Sequence, residues 1–148
     1  SATHPIYRAL DLALGLPARR LTAQGVLDLL DIDVVAARFG LDGGARDTLR
    51  HALERARVAW GLDGADRARF GAPEDDTHSL AWGLDRALAG HVFGGRAPGV
   101  RALPDGERVL PLAGVDEGVT EVLGRAHALL LELREWVALG VAVHAPDD

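Results

Sequence analysis

The chain has 148 residues, 48% of them hydrophobic, which is enough for one folded domain and excludes a disordered chain. It contains no cysteine, so a disulfide framework and a thiolate metal site are both excluded. Its formal net charge is −6, and an acidic domain is a poor stand-alone binder of nucleic acid because phosphate neutralisation supplies most of that affinity.

Residues 5–41 are predicted to form three helices. Pro5 suits the first turn of the first helix, where its missing N–H costs nothing, and the Gly-Leu-Pro of residues 15–17 stops that helix. Thr22 is predicted to cap the second helix, its hydroxyl accepting an orphan backbone N–H. Asp33 is predicted to cap the short third helix, and Gly40 to end it in the left-handed conformation. The last two of these helices resemble a helix–turn–helix corner.

A longer helix is predicted over residues 45–58, after a turn at the Asp-Gly-Gly of residues 42–44. A further helical turn is predicted over residues 65–70, with Asp63 as its cap. The apolar stripe of the longer helix consists of Leu49, Ala52, Leu53, Ala56 and Trp60.

The second half of the chain is predicted to hold two helices separated by an irregular stretch. Asp76 or Thr77 is predicted to cap the first of these helices, and residues 96–114, rich in proline and glycine, form the irregular stretch. The last helix is predicted over residues 117–139, more than about 30 Å long at ~1.5 Å per residue. We therefore predict an all-α fold, a single helical domain over residues 1–148 built as an irregular bundle of about six helices.

Sequence motifs for catalysis and cofactor binding are missing. A phosphate-binding loop needs a lysine after its glycines, and all 16 basic residues are arginine. The chain has no Gly-x-Ser-x-Gly elbow and no His-x-x-x-His pair. Asp28, Asp31 and Asp33 resemble an acidic metal cluster, but their placement at helix ends favours capping and solvation. We therefore predict no catalytic residue, no cofactor and no metal site.

Arginine side chains on and after the longer helix are the candidates for contact with DNA. These candidates are Arg46, Arg50, Arg57, Arg67 and Arg69. Acidic residues between them dilute their field, so a solvated face of mixed charge is the alternative interpretation.

The three tryptophans, Trp60, Trp82 and Trp136, each fall near an apolar stripe. This position favours packing in the core or at a domain interface, with base stacking as the alternative.

The sequence offers neither a signal peptide nor a membrane span. Its first residues lack a basic n-region and a long apolar core, and no apolar run approaches the ~20 residues needed to cross a bilayer. We therefore expect a cytoplasmic location and no membrane partner. The chain also lacks an initiating methionine, as a domain excised from a larger protein would.

Three phrases together resemble the gamma chain of exodeoxyribonuclease V, the RecC family. Residues 21–41 resemble a Thr-capped helix with a Val-Leu-Asp-Leu-Leu core followed by a short helix ending in Arg-Phe. Residues 58–63 resemble the family's Arg-Trp-Gly-Leu-Asp phrase, and residues 82–90 its Phe-Gly-Leu-Asp-Arg phrase. The three phrases occur in the family's order and at similar spacing. Leu80 and Ala81 replace the family's Trp-Arg pair, so any contact made by that pair is changed here.

The resemblance implies an internal segment of a helicase-like protein that has lost its ATPase motifs. It implies a helical accessory region similar to the 2B subdomain of superfamily 1 helicases. The implied partners are a RecB-like beta chain (helicase and nuclease) and a RecD-like alpha chain (helicase), with DNA bound through the parent protein. The implied function is a non-catalytic module of this helicase–nuclease, acting in double-strand break repair by homologous recombination.

Two other functions are compatible with the residues alone. The first is a stand-alone helical protein–protein interaction domain that docks through exposed tryptophans. The second is a small regulator that binds DNA through the corner at residues 22–39, which its few arginines and many aspartates disfavour.

Overall fold

The computed structural model describes residues 15–92, 101–102, 108–109 and 117–143. Over these residues the fold is all-α, as predicted, and contains six α-helices after a 3₁₀ turn at Leu16–Ala18. The helices are α1 (Ala23–Leu30), α2 (Asp33–Phe39), α3 (Gly43–Arg55), α4 (Gly64–Ala68), α5 (Leu80–Val92) and α6 (Glu117–Val143). The helix predicted from Pro5 lies outside the described residues.

One core joins the helices. Helix α6 packs along α5 and α3 and also contacts α2, where Arg38 donates to Glu132 of α6. Leucines at helical spacing fill the space between them, and burial of each contributes roughly 1.5–3 kcal/mol. The fully buried leucines of the core are Leu41, Leu49, Leu53, Leu62, Leu84, Leu123 and Leu130.

Several predicted helix ends are confirmed. The hydroxyl oxygen of Thr22 accepts the N–H of Gly25 at 3.0 Å at the start of α1. A carboxylate oxygen of Asp63 accepts the N–H of Asp66 at 2.8 Å at the start of α4. Gly40 ends α2 with φ of 64°, a left-handed conformation that glycine adopts without a Cβ penalty.

Two predicted caps are wrong. Asp33 is the first residue of α2 and makes no side-chain cap hydrogen bond, because the capping position is taken by Ile32, which is buried in the protein. Helix α5 is capped by Ser79, whose hydroxyl oxygen accepts the N–H of Trp82 at 3.2 Å, rather than by Asp76 or Thr77.

Predicted boundaries also shift. Residues 42–44 are not a separate turn, since α3 already begins at Gly43, and it ends at Arg55 instead of residue 58. The short helix occupies Gly64–Ala68, and α6 continues to Val143, four residues past its predicted end.

The stretch predicted to be irregular contains a short hairpin ladder. Strands β1 (Arg101–Ala102) and β2 (Arg108–Val109) pair antiparallel, with Arg101 opposite Val109. The rest of residues 96–114 lies outside the described residues.

Candidate nucleic-acid interface

Two of the predicted arginines on α3 are already paired with carboxylates. The Nε of Arg46 lies 2.9 Å from Asp31 Oδ1, off the hydrogen-bonding direction, so this contact is an ion pair. Arg50 donates to Glu54 at 3.1 Å and lies 4.0 Å from Asp47, both on its own helix. Their positive charge is therefore partly neutralised where it meets solvent.

Arg67 is a buried structural residue. Only 8% of it is exposed, and its guanidinium donates to three backbone carbonyls. These carbonyls belong to Trp60 (3.0 Å), Asp75 (2.9 Å) and Thr77 (2.6 Å). A buried cation needs such partners, and here they connect the loop before α4 with the loop before α5. Arg67 is thus turned away from any external phosphate.

Arg69 is occupied in a similar way at the end of α4. Its guanidinium donates to the buried carboxylate of Asp66 at 2.8 Å and to the carbonyl of Pro17 at 2.9 Å. Its guanidinium carbon also lies 5.1 Å from the centre of the Phe70 ring. Arg69 therefore links α4 to the 3₁₀ turn.

Arg57 is exposed and has an unusual backbone. Its φ is 57°, in the left-handed region that non-glycine residues rarely adopt. The N–H of Arg57 donates to the carbonyl of Glu54 and that of Val58 to the carbonyl of Leu53, the paired bonds of a Schellman helix end. The carbonyl of Arg57 can only accept, so the 2.9 Å contact with His78 Nδ1 places a proton on that nitrogen.

A second arginine lies close to Arg57. The guanidinium carbon of Arg86, on α5, is 4.8 Å from the centre of the Trp82 ring, and the His78 ring meets the same indole edge-on at 4.7 Å. Burial and the nearby positive charge of Arg57 lower the pKa of Arg86. We call Arg57, His78, Trp82 and Arg86 the Arg57–Arg86 cluster.

A close helix contact positions this cluster. A Cβ placed on Gly83 would lie 2.2 Å from Val58 Cγ2, so only glycine lets α5 approach the end of α3 this closely. Two nearby guanidiniums, one of them over the Trp82 indole, can donate hydrogen bonds to a phosphate.

The sequence prediction found only part of this arrangement. It included Arg57 but missed Arg86, whose signal was its four-residue spacing from Trp82 on one helix. It also missed Arg20, whose guanidinium carbon lies 5.2 Å from the Trp60 ring centre. Trp60 and Trp82 are half-buried, which fits the packing interpretation, whereas Trp136 is 42% exposed.

Among the residues that the structure describes, no group of three or more histidine, aspartate or glutamate side chains could hold a metal ion. None of the helices described is both long and apolar enough to cross a membrane.

Comparison with known proteins identifies the family. The sequence model of the family described as RecBCD enzyme subunit RecC fourth domain matches residues 3–145. The chain belongs to the RecC fourth-domain family. The resemblance found in the three sequence phrases is thereby confirmed.

Individual RecC proteins match at similar levels. The RecBCD enzyme subunit RecC of Escherichia coli K12 is 29% identical over 134 residues, covering 90% of this chain and 11% of its own length. That of Mycolicibacterium smegmatis is 29% identical over 135 residues, covering 91% and 12%. That of Mycobacterium tuberculosis H37Rv is 30% identical over 88 residues, covering 60% of this chain. The chain thus spans about a tenth of the length of these relatives.

Proposed function

We propose that this RecC fourth-domain chain is a non-catalytic helical module of a RecC-like subunit, itself part of a helicase–nuclease complex for double-strand break repair by homologous recombination. Its partners are RecB-like and RecD-like chains, which it meets through the parent protein in the cytoplasm. The module has a 2B-like accessory role, holding its part of the subunit in shape beside the DNA path.

The family match carries this proposal. It extends over residues 3–145, and the relatives are named as subunits of the RecBCD enzyme. The matched segment is about a tenth of each relative, which supports the proposal that the activity of the whole enzyme resides in other parts.

The hydrogen bonds made by several arginine side chains support a structural role for this module. Arg67 and Arg69 hold loops through backbone carbonyls, and Arg134 of α6 donates to Asp63 at 2.8 Å. Such buried and half-buried bonds stabilise one arrangement of the helices, because each becomes costly once its partner is removed.

We also propose where the module meets DNA. Of the five predicted arginines, Arg46, Arg50 and Arg69 are paired with carboxylates and Arg67 is buried, which leaves Arg57 as the favoured contact. Arg86 joins it through the Arg57–Arg86 cluster. A phosphate there would relieve the repulsion between the two positively charged side chains.

The proposed role as a non-catalytic module of a larger subunit is tested on the gene and its product. The reading frame should encode a RecC-like subunit of several domains, and this subunit should co-purify with a RecB-like helicase. A frame that encodes this segment alone would favour a stand-alone interaction domain instead. Metal-dependent nuclease activity of the segment that follows a point substitution within it would disprove the non-catalytic role.

The test of the DNA contact compares Arg57→Gly with Arg50→Ala in the assembled complex. Glycine suits the left-handed backbone at residue 57, so the fold is kept while the guanidinium is lost. We expect Arg57→Gly to weaken binding of single-stranded DNA and to reduce the salt slope of log K by about 1, the effect of one lost phosphate contact. Arg50→Ala should leave both quantities unchanged. Equal binding by both variants would contradict the contact.

A further inference from the structure

Three apolar side chains in the last two turns of α6 are exposed among the residues that the structure describes. Residues 136–143 read Trp-Val-Ala-Leu-Gly-Val-Ala-Val, eight residues without a charge. Yet Trp136 is 42% exposed, Leu139 59% and Val141 41%. We call residues 136–143 the apolar end of α6.

The exposed side chains lie on more than one side of the helix. At about 100° per residue, Leu139 and Val141 point in directions roughly 160° apart, on either side of Gly140. On the Gly140 side the helix is covered, since a Cβ there would lie 2.2 Å from Pro17 of the 3₁₀ turn. A helix that is apolar on all sides is normally buried on all sides, so the apolar end lacks part of its surroundings.

The share of the RecC proteins that this chain matches supports one occupant of this surface. The chain corresponds to 11–12% of two full-length relatives, so most of such a polypeptide lies outside it. We propose that the apolar end of α6 packs into an apolar groove formed by the rest of the same RecC-like polypeptide. This inference rests on the proposed function.

Size favours this occupant over a second copy of the chain. The apolar end is only ~12 Å long, which is short for the standard interface of two separate proteins. Contacts between domains of one polypeptide can be smaller and more mixed, because the covalent link supplies a high local concentration. The charged side chain of Glu135, exposed just before the apolar end, fits the rim of such a contact.

A cysteine introduced at Leu139 measures whether the surface is covered. The chain has no cysteine of its own, so Leu139→Cys gives a single reactive thiol in the 148-residue chain. Its rate of alkylation by iodoacetamide is compared between this chain and the full-length subunit, by mass spectrometry of the peptide that contains it. Asp47→Cys, on α3 with an exposed side chain, is the control.

We expect alkylation at residue 139 to be at least about tenfold slower in the full-length subunit, because a covered thiol reacts slowly. The rates at residue 47 should agree within about twofold. Equal rates at residue 139 would overturn the inference. Protection in the short chain that grows with concentration would indicate a second copy, and protection at every concentration would indicate cover from the chain itself; either result also overturns it.

The proposed function and this inference fail in different ways. A gene that encodes no RecC-like subunit removes both. An assembled subunit in which residue 139 stays fully reactive leaves the proposed function intact and removes only the docking surface.

Discussion

Arg57 has a left-handed backbone at the end of α3, where the equivalent residue at the end of α2 is a glycine. Both helices end in the same paired hydrogen bonds, but the left-handed residue is Gly40 after α2 and Arg57 after α3. Left-handed backbone costs a side-chain-bearing residue roughly 1–2 kcal/mol, and the greater flexibility of unfolded glycine offsets part of that cost. We expect Arg57→Gly to raise the free energy of unfolding by about 0.5–1 kcal/mol in urea denaturation. A loss of stability would show that the guanidinium itself holds the fold.

Arg67 provides the opposite case, a charge that the fold needs. Arg67→Met keeps a long stem but removes the donors to three carbonyls, so we expect the free energy of unfolding to fall by about 3 kcal/mol. Arg50→Met removes only exposed ion pairs and should cost less than about 1 kcal/mol. Chemical denaturation of both variants checks this, and equal losses would contradict the structural role of Arg67.

At the scale of whole elements, substitutions at two glycines within helices distinguish the effect of helix propensity from the effect of packing. Alanine stabilises a helix interior by about 1 kcal/mol over glycine, which should be the gain for Gly124→Ala because its Cβ would meet open space. Gly83→Ala should instead destabilise the protein by about 2 kcal/mol, because its Cβ would overlap Val58. Thermal denaturation of both variants should show a gain of stability for Gly124→Ala and a loss for Gly83→Ala.

A second substitution that restores stability to Gly83→Ala tests whether the loss of stability arises at the contact between α5 and the end of α3. Val58→Ala removes the Cγ2 atom that the new Cβ would meet. The double variant should therefore be at least about 1 kcal/mol more stable than the sum of the two single changes. Additive effects would place the cost of Gly83→Ala elsewhere.

Most of the helices could be predicted from the local sequence. Apolar spacing predicts the helices, and a cap such as Thr22 acts through a neighbour three residues away, so both are visible in a short window. Ser79 was missed because it follows five polar residues (74–78), and the choice of cap among these candidates depends on which one is buried. Asp33 was misplaced because burial of Ile32 outweighs the preference for a polar cap.

At the scale of the molecule, the candidate interface was less predictable than the fold. Arg46, Arg57 and Arg67 look alike in the sequence, but contacts outside their own helical turn decide that Arg46 is paired, Arg67 is buried and Arg57 is exposed. Arg46 pairs with Asp31, and Arg67 meets carbonyls up to ten residues away. The Arg57–Arg86 cluster exists only because α5 crosses the end of α3 at Gly83, a tertiary contact that no local pattern encodes.

Neighbouring leucines on α6 test whether the helices share one core. Leu130 is 0% exposed and Leu131 is 49% exposed, although the two are identical in chemistry and adjacent in sequence. Leu130→Ala leaves a cavity among α6 and the helices packed on it, so we expect a loss of about 3–5 kcal/mol in the free energy of unfolding. Leu131→Ala should cost less than about 1 kcal/mol in the isolated chain, since it removes little buried surface.

The shape of the unfolding curve is a second test of whether the helices share one core. If α6 joins α3 and α5 in one core, Leu130→Ala should shift a single transition, seen at the same temperature by circular dichroism at the helix band and by tryptophan fluorescence. The tryptophan signal comes from the loop before α4, from α5 and from the end of α6 (Trp60, Trp82 and Trp136), while circular dichroism averages over all helices, so the two signals weight the parts of the molecule differently. Separate transitions in this variant would mean that α6 unfolds on its own, and the bundle would then consist of two cores.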